Sequence, residues 1–146
     1  MSRSFALVIT KSIEEAMVPE RLLIIDDNDD TLTLVKFIVE NYTDWQIFTA
    51  SSGKVGITKA IIERPDVILL DIAMPDIDGL DIYKLLKSNK TTRSISIIFL
   101  TAVMNGKEIV RSQVGEEIEV ITKPFDILEL LNKVNKAYNN SLALSS

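Results

Sequence analysis

The 146-residue sequence contains no cysteine and no histidine. Without cysteine, the chain cannot form a disulfide, a cysteine-ligated zinc site or a thiol nucleophile. Without histidine, it has no imidazole base, cannot build a serine–histidine–aspartate triad and cannot carry phosphohistidine. Any bound metal must therefore use oxygen ligands, which favours Mg²⁺, Mn²⁺ or Ca²⁺.

Long apolar runs and an excess of positive charge are also missing. No run approaches the roughly 20 residues of a membrane-spanning helix, and the apolar stretch at residues 5–9 is too short for a signal peptide. Sixteen basic residues against 21 acidic ones leave a net charge of −5, which disfavours direct binding to DNA or to anionic membranes. We therefore expect a cytoplasmic protein that does not bind DNA directly and does not associate with membranes.

From residue 21 onward, short apolar runs alternate with segments of helical period. Continuous runs of this kind are typical of parallel strands buried on both faces. Five strands alternating with five helices predict an α/β fold, in which helices cover both faces of an open five-stranded parallel sheet. The predicted strands cover residues 22–25, 45–50, 67–70, 94–100 and 119–122.

Two segments lie outside this alternation. Residues 1–20 are predicted to form a loosely ordered extension, with an edge strand at residues 5–10 and a short helix at residues 12–17 as the alternative. The polar residues 139–146 are predicted to form a frayed tail. We expect a single domain over residues 21–138, with no output domain after it.

Four of the five predicted strands end in a polar group that can take part in chemistry. Because the carboxyl ends of parallel strands meet at one edge of a sheet, these groups should converge. Carboxylates about 4 Å apart repel by about 4 kcal/mol per pair, so either a proton or a divalent cation must lie among them, and an all-oxygen site suits Mg²⁺. Singly, each residue could instead be a helix cap, a strand filler or a solvated side chain. The residues are Asp26 with Asp27, Asp71, Thr101 and Lys123.

These strand ends lie in segments that resemble the receiver domain of bacterial two-component response regulators. The resemblance covers about residues 21–138 and implies a flavodoxin-like (βα)5 fold. The segments that carry it are LIIDDN at residues 23–28, LLDIAMP at residues 69–75 followed by Asp78-Gly79, LTA at residues 100–102, and TKPF at residues 122–125.

The resemblance also implies a function. Asp71 would be the phosphoacceptor, which takes phosphate from a histidine of a sensor kinase or of a histidine phosphotransfer protein. Lys123 would contact the phosphoryl group, and Thr101 would move toward it and change the surface that a downstream protein binds. The chain would then be a signalling switch and not an enzyme, apart from its own phosphorylation and dephosphorylation. The implied ligands of Mg²⁺, with Mn²⁺ as a substitute, are Asp26, Asp27, Asp71 and the backbone carbonyl of Ala73.

The sequence departs from the family pattern at two positions. The family often has an aromatic residue three positions before the lysine, where this chain has Val120. A glycine usually found about seven positions before the lysine is Glu116 here, with Gly115 one place earlier. Both departures concern the presumed output face and not the phosphorylation pocket. An ordinary core valine is the simplest explanation of Val120.

Two other functions are compatible with parts of the sequence. A degenerate receiver would serve only as a protein docking module, although all the acidic positions and the lysine are present. A magnesium-dependent phosphatase would use the segment Asp76-Ile77-Asp78-Gly79, which superficially matches the nucleophile motif of haloacid-dehalogenase-like hydrolases. Pro75 precedes that segment, whereas the preceding strand ends at Asp71, so the match lies in a loop.

Overall fold

The computed structural model describes residues 19–145, of which residues 143–145 are described by their backbone alone. The extension predicted for residues 1–20, together with the alternative edge strand and helix, lies outside the described residues except for Pro19 and Glu20.

Five strands and five helices alternate along the described chain. The strands are short and mostly buried because their sequences are nearly continuous apolar runs. They are β1 (Arg21–Ile25), β2 (Gln46–Ala50), β3 (Val67–Asp71), β4 (Ser96–Thr101) and β5 (Glu119–Thr122). The helices are α1 (Asp29–Tyr42), α2 (Gly53–Glu63), α3 (Gly79–Ser88), α4 (Gly106–Gln113) and α5 (Ile127–Ser145).

The five strands form one parallel sheet in the order β2-β1-β3-β4-β5. Strand β3 occupies the centre and is buried along its whole length. In its register with β4, Asp71 pairs with Leu100, so the last residue of β3 lies beside the end of β4. This sheet confirms the predicted α/β fold.

Alternate residues of each strand point to opposite faces, and each face carries its own apolar core. One core packs α1 and α5 against the sheet, through residues such as Val35 and Val134. The other packs α2, α3 and α4 against the opposite face, through residues such as Ala60, Ile82 and Val110. The helices therefore cover both faces and leave the carboxyl edge of the sheet to the loops.

The C-terminal helix corrects one prediction. Residues 139–145 continue α5, which has 19 residues, and do not form the frayed tail expected after Tyr138. The segment contains no glycine or proline that would end the helix, and the polar residues 139–141 are each at least partly exposed to solvent. No helix within residues 19–145 is both long and apolar enough to cross a membrane.

Candidate functional site

The carboxyl edge of the sheet gathers three acidic side chains. Asp26 and Asp27 follow β1, and Asp71 ends β3. Carboxylate oxygens of the three residues lie within 4.8 Å of one another. Asp26 is fully buried, Asp71 is 6 % exposed, and Asp27 lies at the exposed rim. The structure thus brings together the three acids that the strand ends predicted.

Local hydrogen bonds orient the side chain of Asp26 toward the site. Its backbone N–H donates to the carbonyl of Ala50 at 3.0 Å, which extends the pairing of β1 with β2 by one residue. Its Oδ1 accepts from the N–H of Asn28 at 2.9 Å. Asn28 in turn caps α1 by accepting from the N–H of Asp30 at 2.9 Å. The three-residue segment after β1 therefore starts a helix and holds one acid inward at the same time.

Lys123 forms a buried ion pair with the first of these acids. Its Nζ lies 2.7 Å from Oδ2 of Asp26, and the lysine side chain is 17 % exposed. The backbone N–H of Lys123 donates to the carbonyl of Thr101 at 2.8 Å, which fixes the lysine beside the end of β4. The predicted lysine is therefore at the site, where it neutralises one of the three carboxylates.

The pKa of Asp71 is affected both by its burial and by its acidic neighbour Asp26. Burial, and next to it the negative charge of Asp26, raise the pKa of Asp71 from 3.8 to about 7. The ammonium group of Lys123 and the backbone N–H of Ala73 act in the opposite direction. One lysine thus does not balance three carboxylates, and the donor set of close, partly buried carboxylate oxygens fits a hard divalent cation such as Mg²⁺.

The raised pKa of Asp71 predicts a pH-dependent stability in the absence of divalent ions. Between about pH 4 and pH 7 the folded protein binds more protons at Asp71 than the unfolded chain does, so the free energy of unfolding falls as the pH rises through this range. Asp71→Asn removes the ionisable group. We expect this variant to be more stable than the wild type by roughly 1–3 kcal/mol at pH 8 and to lose that advantage near pH 4.

The measurement is urea unfolding with a chelator present, at both pH values. If the advantage of Asp71→Asn over the wild type is the same at pH 4 and pH 8, the charge of Asp71 is not the cause.

The loop between β3 and α3 is held in place by two close contacts. A Cβ atom at Gly79 would lie 2.2 Å from the carbonyl oxygen of Asp71, so only glycine fits there. The carboxylate of Asp76 accepts from the N–H groups of Gly53 at 3.0 Å and Lys54 at 3.1 Å, at the start of α2. These bonds lower the pKa of Asp76. Asp76 therefore caps a helix from the loop after β3, and the phosphatase-like segment lies in a loop as its sequence predicted.

Thr101 lies on β4, which pairs with β3, and Val120 lies on β5 at the edge of the sheet. Thr101 is fully buried at the end of β4, and its Oγ1 accepts from the N–H of Val103 at 2.9 Å. Val120 on β5 is 2 % exposed and pairs in register with Phe99 in the apolar core. In this structure the threonine hydroxyl is thus bonded to the loop after β4, and Val120 is an ordinary core residue.

Sequence reasoning did not identify three contacts that shape the site. They are the cap that Asp76 provides to α2, the approach of Gly79 to Asp71, and the approach of Gly106 to Thr101. The proline, aspartates and glycine at residues 75–79 mark a turn, which is a weak signal for the first two. No comparable signal marks Gly106, because the contact joins two elements whose packing is not visible in the sequence.

Comparisons with known proteins agree with this geometry. The family model of the response regulator receiver domain matches residues 22–135. The response regulator PleD of Caulobacter vibrioides is 31 % identical over 116 residues, which are 78 % of this chain and 25 % of PleD. Sporulation initiation phosphotransferase F of Bacillus subtilis is 33 % identical over 123 residues, which are 82 % of this chain and 94 % of that protein.

Solved structures show the same fold. The receiver domain of the sensor histidine kinase PA1611 from Pseudomonas aeruginosa PAO1, solved with a magnesium ion coordinated in its active-site cleft, superposes with a TM-score of 0.73 at 23 % identity. The match covers 82 % of this chain and 98 % of that one. The chain spans half or less of the length of several curated relatives that it matches. On the evidence of its sheet, its acidic edge and its family match, the chain belongs to the response regulator receiver domain family.

Proposed function

We propose that this chain is a phosphorylation-dependent signalling switch, which accepts a phosphoryl group on Asp71 from a histidine of a sensor kinase or of a histidine phosphotransfer protein. Family membership supports the general function. The observation that carries the proposal for this chain is the position of Asp71 at the end of the central strand, with two further carboxylates within 4.8 Å. Lys123, paired with one of those carboxylates, supplies a cation at the same site.

The proposed transfer is a direct displacement at phosphorus. A carboxylate oxygen of Asp71 forms a new P–O bond, the bond between phosphorus and the donor nitrogen breaks, and its electron pair stays on the imidazole of the donor. The protein contributes mainly by positioning groups and by stabilising charge on the phosphoryl oxygens. Asp71 must be ionised to attack, and its raised pKa means that positive charge near it favours the reactive form.

The metal ligands that we propose are the side chains of Asp26, Asp27 and Asp71, together with the backbone carbonyl of Ala73. A bound Mg²⁺ would neutralise the carboxylates and withdraw charge from the phosphoryl oxygens. The same charge balance explains why Asp26 can be fully buried, since it already has Lys123 as a partner at 2.7 Å.

Two groups must change partners when Asp71 is phosphorylated. Lys123 is bonded to Asp26 and would turn to a phosphoryl oxygen, while Thr101 would exchange its bond with Val103 for one with the phosphoryl group. These bonds contribute roughly 1.5–3 and 0.5–1.5 kcal/mol respectively. A shift from 1:99 to 99:1 requires about 5.5 kcal/mol. We therefore expect phosphorylation to bias the conformation partially, with binding of the downstream protein completing the change.

A small phosphodonor tests the proposal. Incubation with acetyl phosphate and Mg²⁺ is expected to add the mass of one phosphoryl group to the intact protein, and a chelator is expected to prevent the addition because Lys123 alone does not balance the three carboxylates. Intact mass spectrometry makes the measurement. If no phosphoryl group is added in the presence of Mg²⁺, the switch is refuted and the degenerate docking module becomes the better explanation.

A further inference from the structure

The first residue of α4 lies directly against the side chain of Thr101. A Cβ atom at Gly106 would lie 2.8 Å from both Cγ2 and Oγ1 of Thr101, and the three atoms nearest to that Cβ position all belong to this threonine. Distances below 3 Å are far inside van der Waals contact. The backbone of Gly106 is not in the left-handed region, in contrast to Gly115 at φ 141°, so backbone conformation does not require glycine at position 106. Glycine is required there because the side chain of Thr101 leaves no room for a Cβ atom.

The side chain of Thr101, which Gly106 contacts, lies near both the loop after β4 and the site. Thr101 is fully buried, and its hydroxyl oxygen accepts from the N–H of Val103, in the loop that leads to α4. The preceding residue, Leu100, pairs in register with Asp71. Thr101 therefore lies at the same sheet edge as the acid, and a rotation of its side chain that turns Oγ1 toward the site would take this oxygen away from the N–H of Val103.

We propose that Gly106 sets the resting position of Thr101. Because it has no side chain, it allows Thr101 to stay bonded to Val103 underneath the start of α4, and so it holds the hydroxyl back from Asp71. Gly106 is thus a positioning residue that couples α4 to the site through a single contact. This inference rests on the proposed phosphorylation of Asp71, in which the threonine hydroxyl is needed at the phosphoryl group.

The substitution Gly106→Ala tests the contact. The added methyl group is expected to push Thr101 off its bond with Val103, which NMR of the metal-free protein detects as faster amide exchange and a shifted resonance at Val103. In the Gly106→Ala variant this bond is already broken, so with Mg²⁺ present the hydroxyl can move to the site without the cost of breaking it. We therefore expect beryllofluoride, a phosphoryl analogue, to bind Gly106→Ala about two- to tenfold more tightly than wild type.

Thr101→Ala provides the control background, because alanine lacks Cγ2 and Oγ1, the two atoms that would lie 2.8 Å from the new methyl group, and keeps only Cβ at 3.3 Å. Adding Gly106→Ala to Thr101→Ala should leave the beryllofluoride affinity unchanged. If Gly106→Ala alone fails to fold, Thr101→Ala is expected to restore folding, and failure to restore it overturns the proposal.

Two other results would also overturn it. One is a Gly106→Ala protein whose Val103 amide and beryllofluoride affinity match those of the wild type. The other is a Gly106→Ala substitution that changes the beryllofluoride affinity by the same factor in the Thr101→Ala background as in the wild type. That result would mean that α4 shifts independently of the threonine. Wild-type protein that does not bind beryllofluoride would refute the proposed function, whereas the Val103 amide would still decide the role of Gly106.

Discussion

Asp71→Asn is expected to abolish phosphorylation by acetyl phosphate while leaving the fold intact. An amide oxygen is uncharged and does not attack phosphorus, so the reaction loses its nucleophile. Asparagine has nearly the same shape, and its oxygen can still accept from the N–H of Ala73, which bonds to the Asp71 carboxylate in the structure. The measurement is the gain of phosphoryl mass on the intact protein in the presence of Mg²⁺, together with a circular dichroism spectrum to show that the variant is folded.

Asp76→Asn is the matched control, because Asp76 lies in the loop that follows Asp71 and carries the same side chain. Its carboxylate caps α2 through the N–H groups of Gly53 and Lys54. This variant should keep its phosphorylation and most of its stability, because asparagine still offers an oxygen that can accept from these N–H groups. Phosphorylation of the Asp71→Asn variant, or loss of phosphorylation only in Asp76→Asn, would contradict the assignment of the two acids.

Lys123→Met is expected to destabilise the metal-free protein by about 3–5 kcal/mol. Methionine keeps the length of the side chain but removes the ammonium group 2.7 Å from Asp26, whose carboxylate is fully buried. A buried charge without a partner is among the most costly defects in a folded protein. Since domains of this size are stable by about 5–15 kcal/mol, the loss should be obvious in urea unfolding with a chelator present.

Lys136 supplies the comparison for this prediction. It pairs with Glu119 at 3.1 Å, but its side chain is 65 % exposed. Lys136→Met should therefore cost less than about 1 kcal/mol. Adding Asp26→Asn to Lys123→Met should recover part of the lost stability, because the buried group is then neutral. Equal losses in Lys123→Met and Lys136→Met would show that the Asp26 pair does not stabilise the fold.

The sheet and its acidic edge could be predicted because the sequence shows both directly. Residues 22–25 and 67–70 are continuous apolar runs that end in aspartate, and parallel strands place such ends at one edge. The structure accordingly places Asp26 and Asp71 side by side. The prediction needed only the strand pattern and the direction of the chain, which are local properties.

Other features could not be predicted, because they depend on how separate elements pack. The strand pattern predicts that Lys123 lies at this edge of the sheet, but nothing in the sequence around it indicates that it bonds to Asp26 across two intervening strands. The contact of Gly106 with Thr101 depends in the same way on where α4 lies against β4. The polar residues after Tyr138 predict an early end to the C-terminal helix, whereas the helix continues through them because no glycine or proline interrupts it.

The central claim is that phosphate is attached to one particular aspartate, and mapping the modified residue tests this most directly. Protein treated with acetyl phosphate and Mg²⁺ is reduced with borohydride, which converts an aspartyl phosphate to homoserine, and the peptides are sequenced by mass spectrometry. The account predicts homoserine at position 71. Homoserine at Asp26 or Asp27, or phosphate retained on a serine or threonine, would contradict it.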